Sequence, residues 1–432
     1  MYSQPEIILS PNKPGVVVGA GTSGLAACRL LSALGIPVRL LEKTERPDLL
    51  ELAREQGWEL HFGEHTPDQF ADAGVIVPSP GLPLARLKTW LPAGAEKLVM
   101  GEMELAYRQV DEPVIAITGT SGKTTTAGLC AAMLKAGGKK VFLGGNIGTP
   151  LSEYALNRKN GASKADVLVL EISSFQLQTC SRFHPHIGLL LNLSENHLDY
   201  HADMQEYGDA KFKLFARQNE ADYAIIQAGL ATDPRVGRLM AQKIFFEAGP
   251  EFPDTSLLGA HNQANLAAAW QAAMIFGVSL EQARQAVRTF KAPAHRLEVI
   301  GSTRQGVLFI NDSKSTTVES LRVALEAMHR PVLLLAGGIF KGGDLSSLAS
   351  LIRQKVRAIA LFGANREIFE QAWLGLAPLT WNESLHGAVQ ELLKEAKQGD
   401  VMLLSPATAS FDLYPNYKAR GDDFRKIWEA LR

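Results

Sequence analysis

The sequence predicts an α/β protein of three domains in series, each built on a mostly parallel sheet. Three observations lead there. Short apolar, β-branched runs alternate with helix-period runs along the whole chain. Most of those apolar runs stop at glycines or polar residues, as strands do when their carboxyl ends line a ligand crevice. At 432 residues the chain exceeds what a single core accommodates and suits about three domains.

The first block opens with GVVVGAGTSGLAACRLLSALGIPVRLLEK, which reads as strand, glycine turn, helix and a second strand ending at Glu42. GVIVPSP, residues 74 to 80, is a further strand, and the alternation continues to about residue 105. The second block carries the strands of PVIAITGTSGKTTT, KKVFLGGNIG, ADVLVLEISSFQL and HIGLLLNLSENHLDYH, and the helical run NQANLAAAWQAAMIFG closes it near residue 290. The third starts at KAPAHRLE and continues through VLFINDSKSTT, PVLLLAGG, RAIALFG and DVMLLSPATAS. No internal repeat or low-complexity tract interrupts the series, so the breaks are expected near 105 and 293.

Composition excludes several classes. A net charge of −1 leaves no basic stripe for a phosphate backbone, so no nucleic-acid partner is expected. The start, MYSQPEIILSPNKPG, has no basic segment leading into an apolar core, and no apolar run reaches the roughly 18 residues a membrane span needs. Neither export nor membrane insertion is expected. Cys28, Cys130 and Cys180 are odd in number and far apart, which suits a reducing cytoplasm better than disulfides or a structural zinc site.

The strongest motif is GTSGKTTT, residues 119 to 126, between an apolar strand and a helical run. It is a shortened nucleotide loop, Gly-x-x-Gly-Lys-Thr, with Ile117 where the full pattern has its first glycine. Gly119, Thr120, Ser121, Gly122, Lys123, Thr124 and Thr125 would offer backbone N–H groups and a helix N-terminus to a triphosphate. Lys123 adds a point charge, and the Thr124 hydroxyl can hold a magnesium ion. An ordinary strand-to-helix turn is the bland alternative, and the Gly-Lys-Thr context argues against it.

GAGTSG, residues 19 to 24, fits Gly-x-Gly-x-x-Gly after a strand, with Glu42 ending the next strand. The physics asks only for a diphosphate at a helix N-terminus, so a nucleotide sugar suits it as well as NAD. SPGLP, residues 79 to 83, would line the same crevice. Glu171 in LEISSFQLQ, and His197 with Asp199 in NLSENHLDYH, stand at strand ends near the phosphate loop, where a carboxylate serves as a magnesium ligand. Lys211, on sequence alone, is a solvated helix lysine. In the third block Arg296, Asp312 and Lys314 sit at a domain entry and a strand end, positions suited to nucleotide contacts. AGGIFKGGD and SPATASFDLYPNY end further strands and could form a pocket for a small anion.

Together these stretches resemble the Mur ligase family, the ATP-dependent amide-forming enzymes of peptidoglycan precursor synthesis, over essentially the whole chain. GTSGKTTT, GAHNQAN, HRLE and NDSKST carry the likeness to the family. EISSFQL, GGNIG and SPATASFD resemble the branch that adds D-glutamate to UDP-N-acetylmuramoyl-L-alanine. The fold this implies is a Rossmann-like UDP-binding domain over 1–105, a P-loop ATPase-like domain over 106–292 and a Rossmann-like glutamate-binding domain over 293–432. A full N-terminal domain with GAGTSG separates the chain from folylpolyglutamate synthase, a relative that lacks one.

The resemblance also implies roles. Lys123 would neutralise phosphate charge, Thr124 and Glu171 would hold one magnesium ion, and His197 a second. Lys211 matches the family's carbamylated lysine. Asn262 and Asn265 would contact ATP, with Arg296, Asp312 and Lys314 closing over it. Gly19, Gly21, Thr22, Ser23, Gly24, Ser79, Gly81 and Asn146 would bind the UDP substrate. Thr316, Lys341, Ser410, Phe411 and Tyr417 match glutamate-binding positions, Tyr417 standing where some relatives have Phe. Glu42, Lys43 and Thr44 align only loosely with the family's uridine contacts. A cytoplasmic monomer is expected.

The reaction implied passes through an acyl phosphate. Use of L-glutamate, which presents the same charges, stays open at this point. An NAD(P)-dependent oxidoreductase would leave GTSGKTT, Glu171 and NDSKST unexplained, and a GTP switch would need an Asn-Lys-x-Asp signature that the chain lacks.

Overall fold

The computed structural model describes residues 7, 9–196 and 200–432. His197 and Asp199 lie outside them. The chain divides into two compact units, Met1–Glu247 with Asn265–Val287, and Ala248–Ala264 with Arg288–Arg432. No helix among the described residues is long and apolar enough to cross a membrane.

The first unit contains two parallel sheets. One has strands β1 (Gly15–Val18), β2 (Val38–Glu42), β3 (Glu59–Phe62) and β4 (Val75–Pro78) in the order β3-β2-β1-β4. The other has β5 (Val114–Thr118), β6 (Val141–Gly145), β7 (Val167–Glu171), β8 (Ile187–Leu190), β9 (Tyr223–Gln227) and β10 (Gln242–Phe246) in the order β10-β9-β8-β5-β7-β6. Sequence character follows position in the sheet. VIAIT of β5, VLVLE of β7 and IGLL of β8 are buried throughout, because helices cover both faces of a parallel sheet. QKIFF of the edge strand β10 buries only Phe246.

Both sheets of this unit share one apolar core, to which Leu30, Leu40, Leu105, Leu151 and Leu170 contribute. Each such fully buried leucine stabilises the fold by about 1.5–3 kcal/mol. The helices Thr22–Ala33, Glu102–Tyr107 and Leu151–Lys159 pack against one another between the sheets. Two buried carboxylates anchor the helix Glu102–Tyr107. Glu104 accepts from the backbone N–H groups of Ser181, Arg182 and Phe183 and pairs with Arg108 at 2.8 Å. Glu102 accepts from the Ser152 N–H at 2.7 Å, satisfying one of the orphan donors in the first turn of Leu151–Lys159.

The second unit contains β11 (Glu298–Ser302), β12 (Leu308–Asn311), β13 (Val332–Ala336), β14 (Val356–Phe362), β15 (Leu379–Asn382) and β16 (Val401–Leu404), ordered β11-β12-β16-β13-β14-β15. Only β11 runs antiparallel, against β12. Apolar layers cover both faces of this sheet, one including Leu334, Ile359 and Leu403 and the other Leu333, Ala360 and Leu404. Alternate residues of the same strands thus supply opposite layers.

Candidate functional site

In the first unit the predicted phosphate loop joins β5 to the helix Lys123–Ala136. Gly122 takes φ +81°, and a Cβ there would lie 2.4 Å from Asn265 Oδ1. Glycine is therefore required twice, for the left-handed backbone and for the approach of Asn265. The loop is braced by the end of β8: Ser121 N donates to Asn192 Oδ1 at 2.9 Å, and Thr120 Oγ1 donates to the Ser194 carbonyl at 3.2 Å. Lys123 Nζ turns back onto the carbonyls of Gly119 and Thr120, at 2.8 and 3.1 Å.

Glu171 ends β7, the strand paired with β5, so its carboxylate arrives beside the loop. Thr124 Oγ1 donates to Glu171 Oε2 at 2.7 Å, and Asn146 Nδ2 donates to Glu171 Oε1 at 2.9 Å. Lys211, from the helix Met204–Phe212, reaches the same place, where Nζ donates to the Gly119 carbonyl at 2.9 Å. It is buried, not solvated as its local sequence suggests. Burial holds its pKa well below the ordinary lysine value, the Lys123 charge pushes the same way, and Glu171 opposes them.

Lys123, Thr124, Glu171, Asn146, Lys211 and Asn265 thus converge at one carboxyl edge. Asn146 meets the metal-type carboxylate, a contact its GGNIG context did not reveal. Sequence reasoning also missed Asn192, which braces the loop, and Tyr207, whose hydroxyl lies 3.2 Å from Thr120 Oγ1 with the Lys211 ammonium 4.5 Å over its ring. Asn192 stands just past an apolar strand, a signal that could have found it. Tyr207 left no such signal.

A hydroxyl and a carboxylate at 2.7 Å beside a phosphate loop suit magnesium, which takes few protein oxygens and completes its shell with water and phosphate. Among the described residues no group of three or more His, Cys, Asp or Glu suited to a metal occurs.

The glycine turn at 19 to 24 lies at the carboxyl edge of the four-stranded sheet. A Cβ at Gly24 would come 2.0 Å from the Gly19 carbonyl, so only glycine lets the helix Thr22–Ala33 start so close to β1. Gly21 and Gly81 have open space where a side chain would be, and Ser79 abuts Gly19. Glu42 accepts from the N–H groups of Ala20, Lys43 and Thr44. Burial opposes its ionisation, but these donors and Arg46 outweigh it and hold the carboxyl below its ordinary pKa. Thr22 and Ser23 begin the helix.

The second unit gathers another set. Arg296 is flanked by His295 at φ +64° and Leu297 at φ +44°, a left-handed pair that non-glycine residues seldom adopt. Asp312 accepts from the Leu297 N–H at 3.1 Å and from Ser405 Oγ at 2.8 Å. Burial pushes its pKa up to about 7. Lys314 Nζ lies 4.0 Å over the Tyr417 ring, and that ring meets His295 edge-on. Ser410 is buried, whereas Phe411 is 70% exposed and Lys341 is also exposed. Ile339 pairs with Ala409, bringing the Lys341 segment alongside SPATAS. Thr316 is half-buried, and Asn262 Nδ2 donates to the Leu258 carbonyl at 2.7 Å.

Arg420 in this unit escaped the sequence reading. It is wholly buried and donates to the carbonyls of Ser313 and Thr408 and to the Ser313 hydroxyl, tying NDSKST to SPATAS. Burial lowers its pKa to about 10.

Comparison with known proteins agrees with this arrangement. Residues 13–96 match the family described as Mur ligase MurD-like, N-terminal domain. Residues 117–245 match the Mur ligase middle domain, and 295–408 match the Mur ligase, glutamate ligase domain. A UDP-N-acetylmuramoylalanine–D-glutamate ligase of Nitratidesulfovibrio vulgaris strain Hildenborough is 56% identical over 429 residues, covering 98% of both chains. One from Oleidesulfovibrio alaskensis is 54% identical over 423 residues, covering 96% of this chain and 94% of its own. Among solved structures, MurF ligase from Thermotoga maritima in complex with ADP aligns with a TM-score of 0.61 at 15% identity, covering 98% of this chain and 99% of that one. UDP-N-acetylmuramate-alanine ligase MurC from Thermotoga maritima gives 0.57 at 17%, covering 97% and 100%. At such identities the structures speak for the fold alone, a series of three α/β domains, while the full-length sequence relatives carry the assignment. The chain belongs to the Mur ligase family.

Proposed function

We propose that this protein is an ATP-dependent ligase that joins D-glutamate to UDP-N-acetylmuramoyl-L-alanine in peptidoglycan precursor synthesis. The observation that carries the reading is the meeting of Thr124, Glu171 and Lys211 around the 119–125 loop. Relatives above 50% identity over almost the full chain bear the same name. In this reading residues 1–105 bind the UDP substrate, 106–292 bind ATP, and 293–432 bind glutamate.

The alanine carboxylate attacks the γ-phosphorus of ATP, forming an oxygen–phosphorus bond as the bond to the ADP oxygen breaks. The glutamate amine then attacks the acyl carbon, the carbon–nitrogen bond forms, and phosphate leaves while the nitrogen gives up its proton. Activation is needed because a carboxylate is a poor electrophile. The N–H groups of Gly119 to Thr125 and the Lys123 ammonium hold the phosphates in line. Thr124 and Glu171 would hold a magnesium ion, and His197 would hold a second. Magnesium bound there would supply positive charge that lets two anions approach. Lys211, whose pKa burial holds well below the ordinary lysine value, is the amine suited to carbamylation, which would turn it into a carboxylate beside Glu171.

Asn262, Asn265, Arg296, Asp312 and Lys314 are assigned to ATP. Gly19, Gly21, Thr22, Ser23, Gly24, Ser79 and Gly81 are assigned to the UDP substrate, with Asn146 at its muramoyl end. Thr316, Lys341, Ser410, Phe411 and Tyr417 are assigned to glutamate. Phosphate release from ATP and magnesium should require both UDP-N-acetylmuramoyl-L-alanine and D-glutamate. Equal release with L-glutamate would overturn the stereochemical part, and no release with either would overturn the reaction.

A further inference from the structure

Tyr200 joins parts of the first unit that the proposed reaction must hold in register. Its hydroxyl donates to the Leu82 carbonyl at 3.1 Å, at the tip of the 79–83 loop. Its ring stacks on Phe175, with centroids 3.8 Å apart and planes at 30°. Phe175 belongs to the short helix Ser174–Gln178, which begins three residues after Glu171. A cavity between the two sheets is lined by Ser79, Leu82, Glu102, Phe175, Gln176 and Tyr200.

The segment carrying Tyr200 is itself anchored. His201 is buried, and its Nε2 lies 2.9 Å from Ser174 Oγ. Ala202 N donates to Glu206 at 2.8 Å, and Asp203 caps the helix Met204–Phe212 by accepting from Glu206 N. That helix carries Lys211. The 79–83 loop is tied at its base, where Ser79 N donates to the Val18 carbonyl at 2.8 Å, and at its tip by Tyr200.

We propose that Tyr200 is a positioning residue for the nucleotide-sugar substrate, fixing the 79–83 loop against the segment that follows Glu171. The inference rests on the reading given under Proposed function. The substrate's nucleotide end is bound by the first sheet, and its carboxylate must reach the phosphate loop of the second. A displacement of about 1 Å between the two would lower the rate up to about a hundredfold. Tyr200 acts through Leu82 and Phe175, not on the reacting atoms.

The test compares steady-state kinetics of the full-length wild type, Tyr200→Phe and Tyr200→Ala. Tyr200→Phe keeps the stack and loses the bond to Leu82. Its KM for UDP-N-acetylmuramoyl-L-alanine should rise by about fivefold, the worth of one net hydrogen bond. Its KM for ATP should stay at the wild-type value, and its thermal midpoint should fall by at most about 2 °C, as expected for one net hydrogen bond. Tyr200→Ala loses the stack too, and kcat should fall by about tenfold. Unchanged KM for the nucleotide sugar in Tyr200→Phe would overturn the proposal, as would a parallel rise in KM for ATP. A wild type that turns over beside an unaffected Tyr200→Phe refutes the positioning role alone. A folded wild type that releases no phosphate refutes the reaction and the positioning role together.

Discussion

Glu102→Gln should make the protein's stability less dependent on pH between 5 and 8. Glu102 is 2% exposed, its Oε1 accepts from Ser152 N, and its Oε2 has no hydrogen-bond partner among the described residues. Burial outweighs the Ser152 bond and raises its pKa from 4.5 to about 7. The folded state therefore keeps the proton to higher pH than the unfolded state does. Between those two pKa values the unfolded chain releases the proton and the native state does not, so wild-type stability falls as pH rises, levelling off above about 7. With these values the loss between pH 5 and pH 8 is about 2.5 kcal/mol. Glutamine keeps the acceptor for Ser152 and removes the titration. Its buried amide adds a cost of up to about 1–3 kcal/mol that does not change with pH. The slope, unlike the value at any one pH, isolates the charge. Thermal midpoints of wild type and variant should diverge in favour of glutamine from pH 5 to pH 8. A pH-independent difference, or one growing in the opposite direction, would refute the reasoning.

Gly122→Ala should abolish most ATP affinity while leaving nucleotide-sugar binding intact. A left-handed alanine costs about 1–2 kcal/mol, and its Cβ would press on Asn265 Oδ1. Titration calorimetry should show at least about a tenfold loss for ATP; unchanged affinity would exclude this loop as the phosphate cradle. Arg420→Lys keeps the charge but cannot reproduce the fork that spans Ser313 and Thr408. The transition of the second unit, followed by fluorescence of the buried Trp373, should lose about 2–3 kcal/mol. No loss would mean that the fork is dispensable.

The strand ends were legible because parallel strands buried on both faces read as continuous apolar runs, and the polar residues that follow them mark the functional edge. GTSGKTTT and Glu171 were found in this way, and β7 does bring Glu171 to the loop. Strand order was not legible. That β7 and β8 flank β5 depends on pairings between segments far apart in sequence. The burial of Lys211 was hidden for the same reason, since GDAKFKLF reads as a half-exposed helix until its packing against Gly119 and Tyr207 is seen. Arg420 sits in YKARGDDF, which has the polarity of a surface helix. Only the approach of SPATAS and NDSKST turns it into a buried fork. Glu42 was read beside a dinucleotide-type turn, and its actual partners, the N–H groups of Ala20, Lys43 and Thr44, are backbone contacts that side-chain chemistry does not reveal.

Phosphorylation of the alanine carboxylate is the step on which the proposed reaction turns. UDP-N-acetylmuramoyl-L-alanine labelled with oxygen-18 in that carboxylate, incubated with the protein, ATP, magnesium and D-glutamate, tests it by mass spectrometry. One labelled oxygen is expected in each released phosphate and one fewer in the amide product. Amide formation with unlabelled phosphate would contradict it.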